Sequence, residues 1–240
     1  MKILDDVIDS VVEREARVSE VRVCVHWTAV VSRTCGLAST VQEDCHPHEG
    51  IKDVGYLTDK SAYELALYSR SENLLEASIG MAAVNSLIEV DESRCVAANA
   101  YDLLLEKGKG KNVAIIGNFP FVSVLRKSAR NFWLIEKRPL EGGCPEEVAE
   151  DVLPQCDVVG ITGTTFINHT LEKLLSQCKG SFVALIGPTT PLSPVLFDHG
   201  IDVISGSKVI NPQEVIRFIS QGATFREAHR HGVKLLTMMR

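Results

Sequence analysis

The spacing of hydrophobic residues predicts strands followed by helices in the first part of the chain. An amphipathic helix is expected at 1–14, and residues 21–27 alternate apolar and polar side chains with the period of a half-buried strand. Apolar runs at 29–31 and 36–38 predict one or two antiparallel partners, and between 61 and 88 the spacing becomes that of two helices. Strands followed by helices indicate an α+β domain.

Beyond residue 111 the chain repeats a unit of apolar strand, glycine turn and helix. The predicted strands span 113–116, 132–135, 158–162, 182–186 and 203–204, and the predicted helices span 122–129, 145–153, 168–178 and 212–221. This alternation is typical of βαβ units in an α/β, Rossmann-like domain with a mostly parallel sheet. Glycines and lysines at 106–111 mark a linker, so the predicted domains are 1–108 and 109–240.

Charge separates the same two parts of the chain. The net charge is −6, but residues 1–108 carry 10 basic and 19 acidic side chains (−9) while residues 109–240 carry 15 and 12 (+3). Neither part has the dense basic face that nucleic-acid binding requires, and only 6% of the residues are aromatic, so no nucleic-acid partner is expected. The positive second part still suits a small anion.

The sequence predicts neither a membrane segment nor a disulfide framework. The first residues include acids and lack the cleavage site of a signal peptide, and the uncharged stretch 180–197 is interrupted by Gly187 and three prolines. The seven cysteines form no C-x-x-C pair, so reduced thiols and a cytoplasmic location are expected. The oligomeric state stays open, a homo-oligomer included.

Polar turns at the carboxyl ends of the predicted parallel strands form the candidate binding site. These ends share one edge of the sheet, where ligands bind in such folds. Their glycines allow close backbone approach, and their hydroxyl and amide side chains suit a polar or anionic small molecule or a metal chelate. The candidate ligand-binding residues are Gly117, Asn118, Phe119, Pro120, Glu136, Gly163, Thr164, Thr165, Asn168, Gly187, Pro188, Thr189, Thr190 and Gly206.

Glu136 admits two interpretations. It follows Gly117 by 19 residues, the approximate spacing at which an acidic residue meets the ribose in nucleotide sites. The turn at Gly117 lacks the second and third glycines of G-x-G-x-x-G, which makes NAD or an S-adenosylmethionine-like cofactor the less favoured ligand. In the alternative, Glu136 forms a solvated ion pair with the neighbouring Lys137 or Arg138. Asn168 likewise either caps the following helix or points into the cleft.

A second group of candidate residues lies in the polar loop of the first part. Cys45, His46 and His48 have side chains that bind transition metals, and they lie within four consecutive positions. Their spacing matches no standard metal site, so an exposed loop with incidental histidines is the competing interpretation.

Three motifs carry a family resemblance: IIGNFPF at 115–121, ITGTTFINHTLEKLL at 161–175 and GPTTPLSPVLFDHGID at 187–202. They resemble the putative heavy-metal chelation domain family of bacteria and archaea, and HWTAVVS and SIGMAAVNSLI extend the resemblance over essentially the whole chain. The resemblance implies an N-terminal domain like the small capping domain of enolase, a Rossmann-like second domain and a site in the cleft between them. It brings no established catalytic residue. The motif positions that it carries over are Gly117, Phe119, Pro120, Glu136, Gly163, Thr164, Thr165, Asn168, Gly187, Pro188 and Pro191.

The sequence leaves three functions open, and with them the question of whether the protein is an enzyme. The first is binding of a small molecule or metal chelate in the interdomain cleft, with a role in heavy-metal chelation or handling. The second is an enzyme that uses a nucleotide-type cofactor in that cleft. The third is a metal-handling accessory protein that binds metal through Cys45, His46 and His48. Enolase chemistry is excluded, because the chain has no room for the TIM barrel that holds the magnesium ligands.

Overall fold

The computed structural model describes residues 1–11, 13–42, 50–139 and 142–240. The fold is mixed α/β, with a small antiparallel sheet and a large, mostly parallel sheet. The first part of the chain contains α1 (Lys2–Asp9), β1 (Glu20–Val23), β2 (Trp27–Val31), β3 (Cys35–Ser39), α2 (Ala62–Ala66) and α3 (Leu74–Leu87). None of the helices within these described ranges has the length and apolar character needed to cross a membrane.

The small sheet is an antiparallel meander in the order β1-β2-β3, as the apolar runs predict. The prediction of one strand over 21–27 is wrong, because the chain turns between β1 and β2. The N–H of Cys24 donates to the carbonyl of Trp27 at 2.9 Å and closes this hairpin. Val25 lies at the tip and is 74% exposed, although the alternation places it on the buried face. The sequence hides the turn because no glycine or proline interrupts the run.

Helix α3 is the apolar centre of the first part and packs on β2 and β3. Its N-terminus is capped by Asn73, whose side-chain oxygen accepts from the N–H groups of Leu75 and Glu76. Gly36 in β3 allows the backbones to approach closely, since a Cβ there would lie 2.1 Å from the carbonyl oxygen of Ala82 in α3. The small sheet therefore lies directly on α3.

The large sheet contains β4 (Asn112–Ile116), β5 (Asn131–Glu136), β6 (Cys144–Pro145), β7 (Val158–Thr162), β8 (Phe182–Ile186), β9 (Val203–Val209) and β10 (Val233–Met239). In the described part of the chain its order is β10-β9-β8-β7-β4-β5-β6. All neighbouring strands are parallel except β10, which pairs antiparallel with β9. The five predicted strands are confirmed, whereas the pattern does not predict β6 or β10.

Helices cover both faces of the large sheet: α4 (Ala100–Gly108), α5 (Val122–Ser128), α6 (Ala149–Val152), α7 (Leu171–Gln177), α8 (Pro212–Ser220) and α9 (Phe225–Arg230). Alternate residues of β4 show the two faces: Val113 and Ile115 share a core with Leu104 of α4, while Ala114 and Ile116 belong to the core that continues into the first part. Burial on both faces explains the continuous apolar runs of these strands.

Four further segments differ from their sequence-based predictions, and the first is the predicted N-terminal helix at 1–14, which ends at Asp9. The predicted linker 106–111 is helical as far as Gly108, because α4 packs on the large sheet. The division into domains at that residue stays a prediction. The predicted helix at 145–153 is reduced to α6 flanked by 3₁₀ turns, and Pro145 lies in β6. The predicted helix at 168–178 begins only at Leu171, after a 3₁₀ turn at Gly163–Thr165.

The loop after β8 joins the two sheets. The Thr189 side-chain oxygen accepts from the N–H of Ser39 at 2.9 Å, and its hydroxyl donates to Ser39 Oγ at 3.2 Å. Asn85 of α3 donates through Nδ2 to the carbonyls of Leu37, at 2.8 Å, and Thr189, at 3.2 Å. Because Thr189 is almost fully buried, these bonds satisfy polar groups that water does not reach.

Replacing Gly36 by alanine tests the close contact between β3 and α3. We expect Gly36→Ala to lower the free energy of unfolding by about 3 kcal/mol, because the new Cβ must push two backbone segments apart. Gly50→Ala is the matched control, since nothing lies within 4 Å of a Cβ at that position. Guanidinium denaturation measures both variants, and equal stabilities would contradict the contact.

Candidate functional site

The strand order creates a point where connections leave in opposite directions. The chain passes from β4 to β5 on one side and later returns to β7 on the other side of β4. The turn that follows β4 touches the end of β7, since a Cβ on Gly117 would lie 2.8 Å from the side chain of Thr162, the last residue of β7. In open parallel sheets, ligands bind outside the carboxyl ends of the strands at such a point.

A cavity of about 670 Å³ lies along this edge. Of the predicted ligand-binding residues, those that line it are Gly117, Asn118, Phe119, Pro120, Glu136, Thr164, Thr165, Asn168, Gly187, Pro188 and Thr189. The structure thus brings together turns from four parallel strands, β4, β5, β7 and β8. Whether these residues bind a ligand stays a prediction.

Three predicted site residues, Gly163, Thr190 and Gly206, pack behind the cavity instead of lining it. A Cβ on Gly163 would lie 2.5 Å from Thr190 Oγ1, and a Cβ on Gly206 would lie 2.6 Å from the Thr190 carbonyl oxygen. Glycine at both positions lets the loop after β8 pack against its neighbours. Their place in the structure indicates a supporting role for the turns that do face the cavity.

Glycine is required for backbone geometry at two positions in the lining. Gly117 has a φ of 102° and Gly187 has a φ of 116°, a region that other residues rarely adopt. Each follows its strand directly and turns the chain across the edge of the sheet. The N–H groups of Gly117 and Gly187 donate to the carbonyls of Ile135 and Ser205 on neighbouring strands, which fixes both turns.

The turn after β7 is held mainly by its own hydroxyl groups. Thr165 Oγ1 donates to the Thr162 carbonyl at 2.7 Å, and the hydroxyls of Thr162 and Thr164 lie 3.1 Å apart. Asn168 Oδ1 accepts from the hydroxyl of Thr170 at 2.7 Å and from its N–H at 3.3 Å. Asn168 therefore braces the chain ahead of α7 and also lines the cavity, but it does not cap the helix as predicted, because the N-cap of α7 is Thr170.

His169, next to these residues, faces the first part of the chain. It has a φ of 60°, and its Nε2 lies 2.9 Å from the carbonyl oxygen of Ser71. This contact ties the turn after β7 to the loop ahead of α3. His169 thus holds Asn168 and Thr170 in place at the cavity.

Charged side chains lie at the β5 end of the cavity. Glu136 ends β5 and lines the cavity together with Lys137, Arg138 and Glu146. Burial raises the pKa of the Glu136 carboxyl above its usual range. The predicted alternative, a solvated ion pair of Glu136 with Lys137 or Arg138, stays a prediction. A half-buried carboxylate of this kind is suited to accept a hydrogen bond from a ligand.

Sequence reasoning misses the residues that reach the cavity from outside the sheet edge. Trp27, Ser39 and Gln42 come from the small sheet and the chain that follows it, and Phe225 is the first residue of α9. Trp27 is visible in the sequence only as one member of an alternating run. Its place at the cavity follows from the docking of the small sheet, which local patterns do not encode.

The described cavity lining does not fit a bare heavy-metal ion. It contains the carboxylates of Glu136 and Glu146 but neither cysteine nor histidine, and soft metals prefer thiolate and imidazole ligands. Across the described ranges, no three His, Cys, Asp or Glu side chains are grouped to hold a metal. The candidate ligands Cys45, His46 and His48 lie outside the described residues.

The buried cysteines are held as neutral thiols, which are poor metal ligands. Burial raises the pKa of Cys35 and of Cys178 to about 12, and that of Cys156 to about 11. The six cysteines in the described part of the chain are free.

Comparison with known proteins places the chain in a family. Residues 99–238 match the DUF364 family and residues 4–88 match the DUF4213 family, both described as "Putative heavy-metal chelation". An uncharacterised protein of Methanocaldococcus jannaschii is 28% identical over 209 residues, covering 82% of this chain and 80% of that protein.

Two solved structures are similar over their full lengths. A DUF364-family protein of unknown function from Desulfitobacterium hafniense is 25% identical with a TM-score of 0.84, covering 100% of this chain and 98% of that one. Another, from Pyrococcus horikoshii, is 19% identical with a TM-score of 0.85, covering 99% and 100%, and supports the fold alone. Because the match at 99–238 spans more than half of the chain, this protein belongs to the DUF364 family, described as "Putative heavy-metal chelation".

Proposed function

We propose that the protein binds a polar or anionic small molecule in the cavity at the sheet edge, and that this molecule is a metal chelate. The observation that carries the proposal is a cavity of about 670 Å³ at the point where the strand connections diverge. Its volume lies within the range of small-molecule sites in proteins, about 300–1,000 Å³. Threonine and asparagine side chains from the strand ends supply the polar groups.

A chelate suits this cavity better than a free ion. A chelated metal brings its own donor atoms, so the protein has to supply only shape, hydrogen bonds and charge. The hydroxyl of Thr164 and the amide of Asn168 face the ligand space, and Lys137 adds positive charge at its β5 end. Lys137 and Arg138 are balanced there by Glu136 and Glu146, so the lining suits a polar complex that offers both hydrogen-bond donors and acceptors, in keeping with the family's description.

The finer fold assignment belongs to the same proposal. The order β6-β5-β4-β7-β8-β9 corresponds to the doubly wound order 3-2-1-4-5-6, which supports a Rossmann-like second domain over 109–240. The meander packed on α3 supports a first domain over 1–108 like the small domain of enolase. In this proposal the cavity is an interdomain cleft of a cytoplasmic protein.

A titration panel tests the chelate proposal. We expect an iron(III) complex of 2,3-dihydroxybenzoate or citrate to bind wild type with micromolar affinity by calorimetry. Thr164→Trp, which fills the cavity, should abolish the binding, and Ser176→Trp on the exposed side of α7 should leave it intact. Absence of binding by both complexes would refute the chelate proposal.

Free ions separate this proposal from the accessory-protein alternative. Ni²⁺, Co²⁺ and Zn²⁺ should not bind stoichiometrically to wild type, because the described cavity offers no suitable donor set. Stoichiometric binding that is lost in the triple variant Cys45→Ala, His46→Ala, His48→Ala would instead favour metal handling through that cluster.

A second candidate function is an enzyme with a nucleotide-type cofactor in the same cavity. The observation that favours it is the position of Glu136, at the end of β5 and facing the cavity. If NAD or S-adenosylmethionine binds there, Glu136→Ala should lower the affinity for that cofactor about tenfold, which is the loss expected for a hydrogen bond to a charged group. Native mass spectrometry of the purified protein detects a retained cofactor, and unchanged affinity in the variant would refute the ribose role.

The raised pKa of Glu136 has a testable sign in the free protein. Burial favours the neutral form of the Glu136 carboxyl and raises its pKa in the folded protein. The stability gained from this neutral carboxyl is fully present below the pKa of glutamate in the unfolded chain, about 4.3, and is lost as pH rises through the higher folded pKa. Glu136→Gln should therefore be more stable than wild type at pH 7, and the difference should vanish below about pH 4.

Glu150→Gln is the control with the opposite sign. The hydrogen bond from Lys173 lowers the pKa of Glu150, so its contribution is present above the unfolded pKa and is lost as pH falls. Urea denaturation as a function of pH measures both variants. A Glu136→Gln variant that is less stable than wild type at pH 7 would contradict the burial of this carboxyl.

A further inference from the structure

Aromatic side chains occupy one end of the cavity. Trp27 and Phe225 both line it, with ring centroids 5.5 Å apart and planes tilted by 53°. Trp27 comes from the small sheet and Phe225 from α9, so the pair forms only when the two parts of the chain dock. Phe119 adds a third ring to the lining and is itself stacked on Phe121 at 5.1 Å.

The register of the strands fixes which end of the cavity is aromatic. Trp27 pairs with Ser39, and Ser39 is bonded to Thr189 in the loop after β8. Glu136 ends β5, which is three strands away from β8 in the sheet. With a strand spacing of about 4.8 Å, the aromatic end and the Glu136 end lie about 14 Å apart along the edge.

Packing alone does not account for an indole at position 27. Trp27 packs in a core with Leu37 and Val215, but its indole N–H is buried and has no acceptor in the described part of the chain. An unpaired buried donor costs about 1–3 kcal/mol. A phenylalanine would fill much of the same space without this cost, so packing in the core does not by itself select the indole.

We infer that the ligand carries a flat unsaturated ring, which packs against Trp27 and Phe225, while its polar or metal-binding groups lie toward Thr164 and Glu136. This inference rests on the proposed binding function and names the chemical class of its ligand. Rings that contact in tilted or offset arrangements gain about 0.5–1.5 kcal/mol beyond the apolar area that they bury. Among chelators, the cavity therefore selects ring-bearing compounds over aliphatic carboxylates of similar charge.

Calorimetry with three probes tests this inference on the full chain. The probes are iron(III) with 2,3-dihydroxybenzoate, iron(III) with citrate, and AMP as a metal-free anion with a ring. The central variant is Phe225→Leu, which keeps an apolar side chain at a half-buried position and removes the ring. Phe218→Leu is the matched control, because Phe218 stacks on His231 and does not line the cavity. Trp27→Phe examines the indole without emptying its core position.

The expected result is that the dihydroxybenzoate complex binds wild type about tenfold more tightly than the citrate complex. Phe225→Leu should lower the affinity for the dihydroxybenzoate complex about fivefold, as expected for a lost ring contact, and should leave the affinity for the citrate complex unchanged. Trp27→Phe should also lower the affinity for the dihydroxybenzoate complex, while Phe218→Leu should not.

Other outcomes separate the inference from the proposed function. Equal binding of the two iron complexes, or equal effects of Phe225→Leu on both, would overturn the ring inference and leave chelate binding supported. Binding of AMP alone, with sensitivity to Phe225→Leu, would support the ring and overturn the chelate. If no probe binds, both are overturned.

Discussion

The contact between the loop after β8 and the small sheet is the constraint on which the rest of the structure depends. Thr189 bonds to Ser39 of β3, and Asn85 of α3 bridges the backbones of β3 and of that loop. The same loop begins with Gly187, which turns the chain across the edge of the large sheet. One short segment therefore joins the two sheets and forms part of the cavity lining, so the geometry of the cavity depends on how the sheets dock.

This arrangement explains why the cavity has two chemically different ends. The strand ends of the large sheet contribute hydroxyl, amide and charged groups, because parallel strands bring their turns to one edge. The small sheet contributes Trp27, which docks against Phe225 of α9. His169 adds a second tie between the parts by contacting the Ser71 carbonyl. A bare metal finds few donors there, whereas the ring-bearing chelate that we propose would have aromatic contacts at one end and polar contacts at the other.

Much of this could be predicted from the sequence, for identifiable reasons. The apolar runs of β4, β7 and β8 are continuous because both faces are buried, and their glycine turns mark the edge where Gly117 and Gly187 lie. Tertiary contacts decide what the pattern does not encode. The turn at Val25 interrupts an alternating run, and α4 packs on the large sheet although composition suggests a linker at its end. Trp27 and Phe225 are 198 positions apart in the chain, so no local pattern shows that their rings meet.

Anomalous scattering at the iron edge tests most directly whether the cavity holds a metal chelate. Crystals of the protein soaked with iron(III)–dihydroxybenzoate should show one strong anomalous peak within the cavity, between the aromatic pair and Glu136. The peak should lie beyond bonding distance of any protein side chain, because the chelator supplies the donors. An anomalous peak bonded to cysteine or histidine elsewhere, with an empty cavity, would contradict chelate binding at the sheet edge.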